Sequence, residues 1–148
     1  MFTPKFNTVQ SLDIAADMIN LPHEDYPIRV DVTLEALQTL SAYLNAPCIT
    51  EYMIKVTHQI IMGDTDHAGR YRTIDVKVGN DTPPSAFTVP MHMFDLHPIT
   101  IQNVHSLVDW YTHFQIIHPF QDGNGRVGGT FVAAVSYKFF DCILAPIQ

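Results

Sequence analysis

Cysteine, charged side chains and long apolar runs are all scarce in this 148-residue chain. Its two cysteines, Cys48 and Cys142, are too few and too far apart for a disulfide framework or a zinc site. Their apolar neighbours predict core positions for both. No apolar run approaches the roughly 20 residues of a membrane helix, and no signal peptide is visible. A cytoplasmic protein without a membrane partner is the simplest interpretation, although export without a cleaved signal stays open.

Positive charge is also scarce, with eight Lys and Arg against fifteen Asp and Glu and a formal net charge of −7. Such a surface repels phosphate backbones, which argues against a nucleic-acid partner and against an anionic membrane. Apolar residues nevertheless make up 47% of the chain, as expected of a globular protein. The length then predicts a single domain over residues 1–148.

Apolar residues recur at helical spacing along much of the chain, which predicts a mostly α fold. Five helices are expected, over residues 11–20, 32–44 (with Thr33 as the cap), 50–62, 100–117 and 131–140. The last is apolar on nearly all sides, which predicts a helix buried in the centre of the domain. The histidines outside residues 118–129 show no metal-ligand spacing, so most are expected to be satisfied in the core or on the surface.

One stretch follows a period of two instead. Ile74, Val76 and Val78 alternate with polar residues, residues 79–81 form a turn, and residues 86–89 can return as a partner strand. This pattern predicts a β-hairpin. Because a lone hairpin is not stable in water, it must lie on the helices or bind something else.

Residues 118–129, HPFQDGNGRVGG, hold most of the chemistry. Pro119 disfavours helical angles at the preceding residue, so the long helix should end just before His118. Phe120 is the large apolar side chain of the segment and is expected to anchor it to the core. Gly123 and Gly125 flank Asn124 and lead into a helix, which predicts a nest of backbone N–H groups that binds an anion.

The polar side chains of this segment extend the same interpretation. Arg126 adds a planar cation suited to phosphate oxygens. Asp122 would repel a phosphate unless a divalent cation lay between them, and Mg²⁺ is commonly held by one or two carboxylates plus substrate phosphates. His118 is then free to accept a proton from an attacking hydroxyl. Together these residues predict phosphoryl or nucleotidyl transfer.

The string H-P-F-x-D-G-N-G-R at residues 118–126 resembles the signature of the Fic family (filamentation induced by cAMP). His-Ala-Gly-Arg-Tyr-Arg, at residues 67–72, resembles the family's entry into its β-hairpin flap. The resemblance covers about half of the chain. It implies one Fic-like helical bundle with an N-terminal flank (residues 1–31), a hairpin flap (72–89) over the active-site loop, and an active-site loop with a helix start (118–129).

The resemblance also implies an activity, which is transfer of AMP from ATP onto a Ser, Thr or Tyr hydroxyl of a target protein. By position, His118 would be the general base and Asp122 the Mg²⁺ ligand. Asn124 and the backbone of Gly123 and Gly125 would hold the α-phosphate region, and Arg126 would contact the phosphates. The flap would receive the target by strand addition, through Arg72, Thr73, Ile74, Asp75 and Val76.

Gly129 departs from the family pattern, which has a second arginine at this position linked to the γ-phosphate. The donor could therefore carry another phosphate-linked group, such as a phosphoryl, another nucleotidyl or a phosphocholine. A nucleotide-binding interaction module without catalysis is a further alternative. The family's inhibitory Ser/Thr-x-x-x-Glu pattern is also absent, which indicates either an inhibitory partner protein or delivery into a host cell.

Overall fold

The computed structural model describes residues 5–9 and 26–147. The helix expected at residues 11–20, and with it most of the N-terminal flank, lies outside these described residues. Within them, no helix is both long and apolar enough to cross a membrane.

Helices dominate the described chain, and the prediction of a mostly α fold is confirmed. They are α1 (Tyr26–Tyr43), α2 (Glu51–Met62), α3 (Val89–Leu96), α4 (Val104–Ile117) and α5 (Asn124–Phe140). Two small antiparallel sheets accompany them, one pairing β1 (Lys5–Val9) with β4 (Ile143–Ile147) and the other β2 (Cys48–Ile49) with β3 (Ile99–Thr100). Both cysteines are free and half-buried.

Helix α5 is the centre of the bundle. It packs against α1, α2, α4 and β4, and every residue from Arg126 to Ser136 is buried. This confirms the prediction of a buried central helix, with only the last turn exposing Tyr137. Trp110 and Phe114 of α4 stack at 5.2 Å between ring centroids, and Trp110 also packs against Phe131 of α5 at 5.5 Å. The helix entering the site and the helix leaving it therefore share one core.

Both ends of α4 follow from local chemistry. Asn103 caps its start through a reciprocal capping box with Ser106, so the helix begins later than predicted. It ends at Ile117, because His118 adopts the left-handed conformation with φ 51° and ψ 60°. The prediction that α4 ends just before His118 is confirmed.

Helix α1 begins earlier than predicted. The helix starts at Tyr26 rather than near Val32, because Pro27 is tolerated in a first turn, where its missing N–H has no intrahelical acceptor. Thr33 therefore lies inside the helix, and the prediction that it caps the helix is wrong.

The flap (residues 72–89) differs most from expectation. It reverses direction at the predicted turn, through an isolated bridge between Val78 and Asp81. A return strand is not present: Ala86–Thr88 is a turn of 3-10 helix, and α3 follows directly. Pro83 and Pro84 lack the N–H groups that a ladder needs, and Pro90 in the first turn of α3 favours a helix start. The prediction of two paired strands is corrected to a single tight reversal.

Candidate active site

The motif loop (residues 118–123) connects α4 to α5. Gly123 caps α5 with φ 86°, a conformation that glycine adopts without strain. Gly125 lies within the first turn of α5 at ordinary helical angles. The first amides of α5 therefore point out of the helix end without intrahelical acceptors, the usual arrangement for binding an anion.

Asn124 and Phe120 fix the shape of the motif loop. The Asn124 side-chain oxygen accepts from the Phe120 N–H at 2.9 Å, and its Nδ2 donates to the Phe120 carbonyl at 2.8 Å. Both residues are buried. Gln115 of α4 also donates to the Asn124 carbonyl at 3.0 Å. The Asn124 side chain thus shapes the loop, and its backbone N–H at the start of α5 remains the group expected to meet a phosphate.

His58 of α2 is a residue of this site that the sequence did not single out. Its Nδ1 accepts from the Gly69 N–H at 2.8 Å, so its Nε2 carries the proton donated to the Asp122 carbonyl at 2.9 Å. Its ring is buried and stacks on Phe120 at 3.7 Å, and burial lowers its pKa. The available signal was a histidine at helical spacing with the apolar Ile54 and Ile61.

Asp122 and Arg126 lie one helical turn apart at the mouth of α5. Arg126 is buried along its length, and its Nη2 reaches 3.5 Å from Asp122 Oδ2. The other carboxylate oxygen accepts from the Gly123 N–H at 2.8 Å. The Asp122 side chain is 63% exposed, which leaves it accessible from solvent. A single accessible carboxylate beside an anion-binding helix end fits a magnesium ion that shares its ligands with a phosphate.

His118 faces a cleft of about 340 Å³ between the flap and the end of α4. Burial and the positive charge of Arg72 lower its pKa below the ordinary value of 6.5, while Asp122 opposes the shift. The imidazole is therefore neutral at pH 7 and able to accept a proton. The other residues lining the cleft are Val78, Asp81, Thr82, Pro83, Gln115 and Ile116.

Arg72 is not placed where a target-binding residue is expected. It is only 4% exposed, and its guanidinium donates to four backbone carbonyls. Its side chain is therefore unavailable to a partner, which corrects the expectation for this residue. The other flap residues expected to meet a target are exposed or half-exposed, namely Thr73, Ile74, Asp75 and Val76.

The two glycines after Arg126 are both buried on α5. A Cβ added at Gly128 would lie 2.5 Å from Gln115 Nε2 and 2.9 Å from Tyr111 Cε2, so Gly128 permits the close approach of α4 and α5. Gly129 places no cation one turn beyond Arg126, and Arg126 is the single arginine of α5.

Comparison with known proteins identifies the class. Residues 48–135, more than half of the chain, match the model of the Fic/DOC family, and this protein belongs to that family. The match includes α4, the motif loop and most of α5. It supports a transferase of the Fic type at the level of the family.

Individual relatives agree with this assignment. The chain is 28% identical over 101 residues to protein adenylyltransferase fic-1 of Caenorhabditis elegans, covering 62% of this chain and 20% of that protein. The fold of this chain is similar to that of a Fic-domain signalling protein of Bacteroides thetaiotaomicron, with a TM-score of 0.63 and 21% identity. The match covers 81% of this chain and 51% of that chain. The fold is also similar to the solved structure of C. elegans Fic-1 (TM-score 0.59, 24% identity, 80% and 38%). The chain thus spans about a fifth of the curated relative and about half or less of these solved chains.

Proposed function

We propose that this protein is a Fic-type adenylyltransferase that transfers AMP from ATP to a Ser, Thr or Tyr hydroxyl of a target protein, with Mg²⁺. The observation that carries the proposal is the convergence of His118, Asp122, Arg126 and the start of α5 on one loop. His118 is a neutral base, and the helix end and Arg126 are suited to a phosphate. The adenylyltransferase activity named for the C. elegans relative supports the same chemistry.

The proposed reaction replaces the α,β-phosphoanhydride bond of ATP by a phosphoester bond to the target. The target hydroxyl oxygen forms a bond to the α-phosphorus of ATP, the bond from that phosphorus to the bridging oxygen breaks, and pyrophosphate leaves. The hydroxyl proton passes to an imidazole nitrogen of His118. Arg126 and the N–H groups at the start of α5 stabilise the charge that develops on the phosphate oxygens.

Asp122 is the residue proposed to hold Mg²⁺, because its carboxylate is accessible and lies beside the helix end. When bound, the ion would neutralise phosphate charge. No group of three or more metal-binding side chains exists among residues 35–142 whose side chains are described, so the remaining ligands would be phosphate oxygens and water.

The target protein is proposed to lie along the outer side of the flap, where Thr73, Ile74 and Asp75 are exposed. The cleft beneath the flap reaches His118, so a hydroxyl side chain entering from the flap would meet the base. The proposed mode of binding is strand addition, in which a partner segment pairs with flap backbone that forms a single bridge and no ladder.

Gly129 supports a second candidate, transfer of a different phosphate-linked group from the donor. With glycine at this position, the first two turns of α5 offer no second cation to hold outer phosphates. A donor without a triphosphate would lose less binding affinity from the missing second cation.

The test is transfer of label from ATP carrying it on the α-phosphate, with Mg²⁺ and cell lysate as the source of targets. Wild type is compared with His118→Ala and with His113→Ala, which removes an exposed histidine of α4. Label in protein bands with wild type and His113→Ala, but not with His118→Ala, is the expected result. Label from γ-labelled ATP alone would instead support phosphoryl transfer. Folded protein that binds ATP and transfers neither label would contradict transfer from ATP and leave another donor or a non-catalytic module.

A further inference from the structure

Arg72 occupies an unusual position, because its buried guanidinium donates to four backbone carbonyls and, among the residues whose side chains are described, forms no ion pair within 4 Å. Its Nε donates to the His118 carbonyl at 2.7 Å, and its Nη2 donates to the Ile117 carbonyl at 3.3 Å. Its own N–H donates to the Pro119 carbonyl at 2.8 Å. Three successive carbonyls around the end of α4 are therefore held by one residue.

The end of α4 needs such a partner. The last carbonyls of a helix lack intrahelical donors, and a cation there also interacts favourably with the helix dipole. His118 adopts left-handed angles, which are uncommon for a residue other than glycine and must be maintained by surrounding contacts. The planar guanidinium supplies several donors in fixed directions, so it defines the position of the His118 backbone.

The same guanidinium also holds the flap. Its Nη1 donates to the Ile74 carbonyl at 3.0 Å, and its Nη2 donates to the Pro84 carbonyl. Ile74 and Pro84 stand on the outgoing and returning arms of the flap. Because the flap has a single bridge instead of a ladder, Arg72 links its two arms to each other and to the helix end that carries His118.

We propose that Arg72 is a positioning residue that couples the flap to His118, so that the flap and the base keep one relative geometry. The catalytic part of this role rests on the proposed function of His118, whereas the coupling itself does not. The competing explanation is that Arg72 only stabilises the fold.

Arg72→Met removes the guanidinium and keeps an unbranched side chain of similar length. Asp75→Ala is the matched control. The Asp75 carboxylate accepts from the Ala86 N–H at 2.8 Å, so this control cuts a flap contact that does not touch His118. Two measurements need no turnover: the side-chain NMR resonances of the histidines, and the rate of proteolytic cleavage in the flap. His97, buried against Trp110, reports whether the core is intact.

In Arg72→Met we expect the His118 resonance to shift while that of His97 stays, and flap cleavage to accelerate at least about 10-fold. Asp75→Ala should accelerate cleavage without moving His118. In the label-transfer assay, Arg72→Met should lower turnover at least about 100-fold with a KM for ATP within about 3-fold of wild type. An unmoved His118 resonance in folded Arg72→Met, or unchanged flap cleavage, would overturn the coupling.

Two further measurements cover the case in which Arg72→Met does not fold. Arg72→Lys keeps the charge but replaces the planar guanidinium by a single ammonium group. The His118 resonance and the rate of flap cleavage are expected to change in the same directions as in Arg72→Met. In the wild-type protein, the Arg72 Nε–H should exchange with solvent at least about 100-fold more slowly than that of the exposed Arg70. Equal exchange rates for Arg72 and Arg70 would refute the coupling of the flap to His118, whatever group the enzyme transfers. Slow exchange at Arg72 together with a failed transfer assay would refute only the proposed function.

Discussion

The motif loop and the flap meet at the cleft that His118 lines, yet they are built in different ways. The motif loop is enclosed between α2, α4 and α5, and buried side chains such as Asn124 and His58 satisfy its backbone. The flap is mostly exposed, and two of its own side chains, Arg72 and Asp75, close it. The part of the site suited to a phosphate is thus fixed by the core, whereas the part suited to a protein partner depends on a few contacts.

The difference has a physical basis. A phosphate is small and its oxygens have fixed geometry, so amides and cations that bind it work best when preorganised. A protein partner presents a longer, variable surface, and elements that bind such partners tend to come from the less stable parts of a fold. Substitutions in the motif loop should therefore cost stability, and those in the flap should mainly change access.

Asn124→Ala should show the largest effect. It leaves the buried N–H and carbonyl of Phe120 without their side-chain partners, which should cost about 2–4 kcal/mol of unfolding free energy. Asn80→Ala, in the exposed turn of the flap, is the matched control and should cost less than about 0.5 kcal/mol. Urea denaturation measures both, and equal losses would contradict the contrast between the two regions.

Gly128→Ala tests the packing beneath the motif loop. The added methyl group would press on Gln115 and Tyr111, and such overpacking costs about 1–3 kcal/mol. It should also disturb the bond from Gln115 to Asn124 and so weaken ATP binding. Thermal unfolding and nucleotide titration measure the two effects, and a variant as stable as wild type would show that the contact of α4 with α5 relaxes freely.

Acid should weaken the core that encloses the motif loop. Burial lowers the pKa of His58 and of His97 below 6.5, so near pH 6 the unfolded chain binds protons that the folded chain does not. Their stabilising contribution is complete above pH 6.5 and is lost below it, by up to about 1.4 kcal/mol per pH unit for each histidine. Urea denaturation between pH 5.5 and 7.5 checks this, and stability that rises on acidification would contradict it.

Asp75→Ala should have the smallest effect on stability. The lost hydrogen bond to Ala86 is exposed, so the cost should be about 0.5 kcal/mol or less. Flap cleavage by protease should nevertheless increase, since one tie between its arms is gone. A large loss of unfolding free energy would mean that the flap is part of the cooperative core.

The helices were predictable where apolar spacing and local stop signals agreed. The end of α4 followed from Pro119, and the central position of α5 followed from its apolar surface on all sides. The return strand at residues 86–89 was predicted wrongly, because alternation over four residues carries little information beside Pro83, Pro84 and Pro90. The pairing of β1 with β4 depends on residues more than 130 positions apart, which no local pattern reveals.

The candidate site was predictable to the same extent. The residues of the motif lie close together because they are adjacent in sequence. The loop and the helix start lie where the sequence motif predicted them. The roles of His58 and Arg72 depend on bonds that span 64 and 46 residues. A single sequence names such residues but not their partners, so His58 was grouped with ordinary histidines and Arg72 with the surface of the flap.

The antiparallel pairing of Lys5 with Ile147 places the two ends of the described chain side by side. The order of the elements along the chain can therefore be changed without moving them in space. A circular permutant, with a short linker joining these ends and new termini between Gly79 and Asn80, would cut the flap at its tip and leave the motif loop continuous. Such a protein should fold and bind nucleotide while presenting the two arms of the flap as separate chain ends.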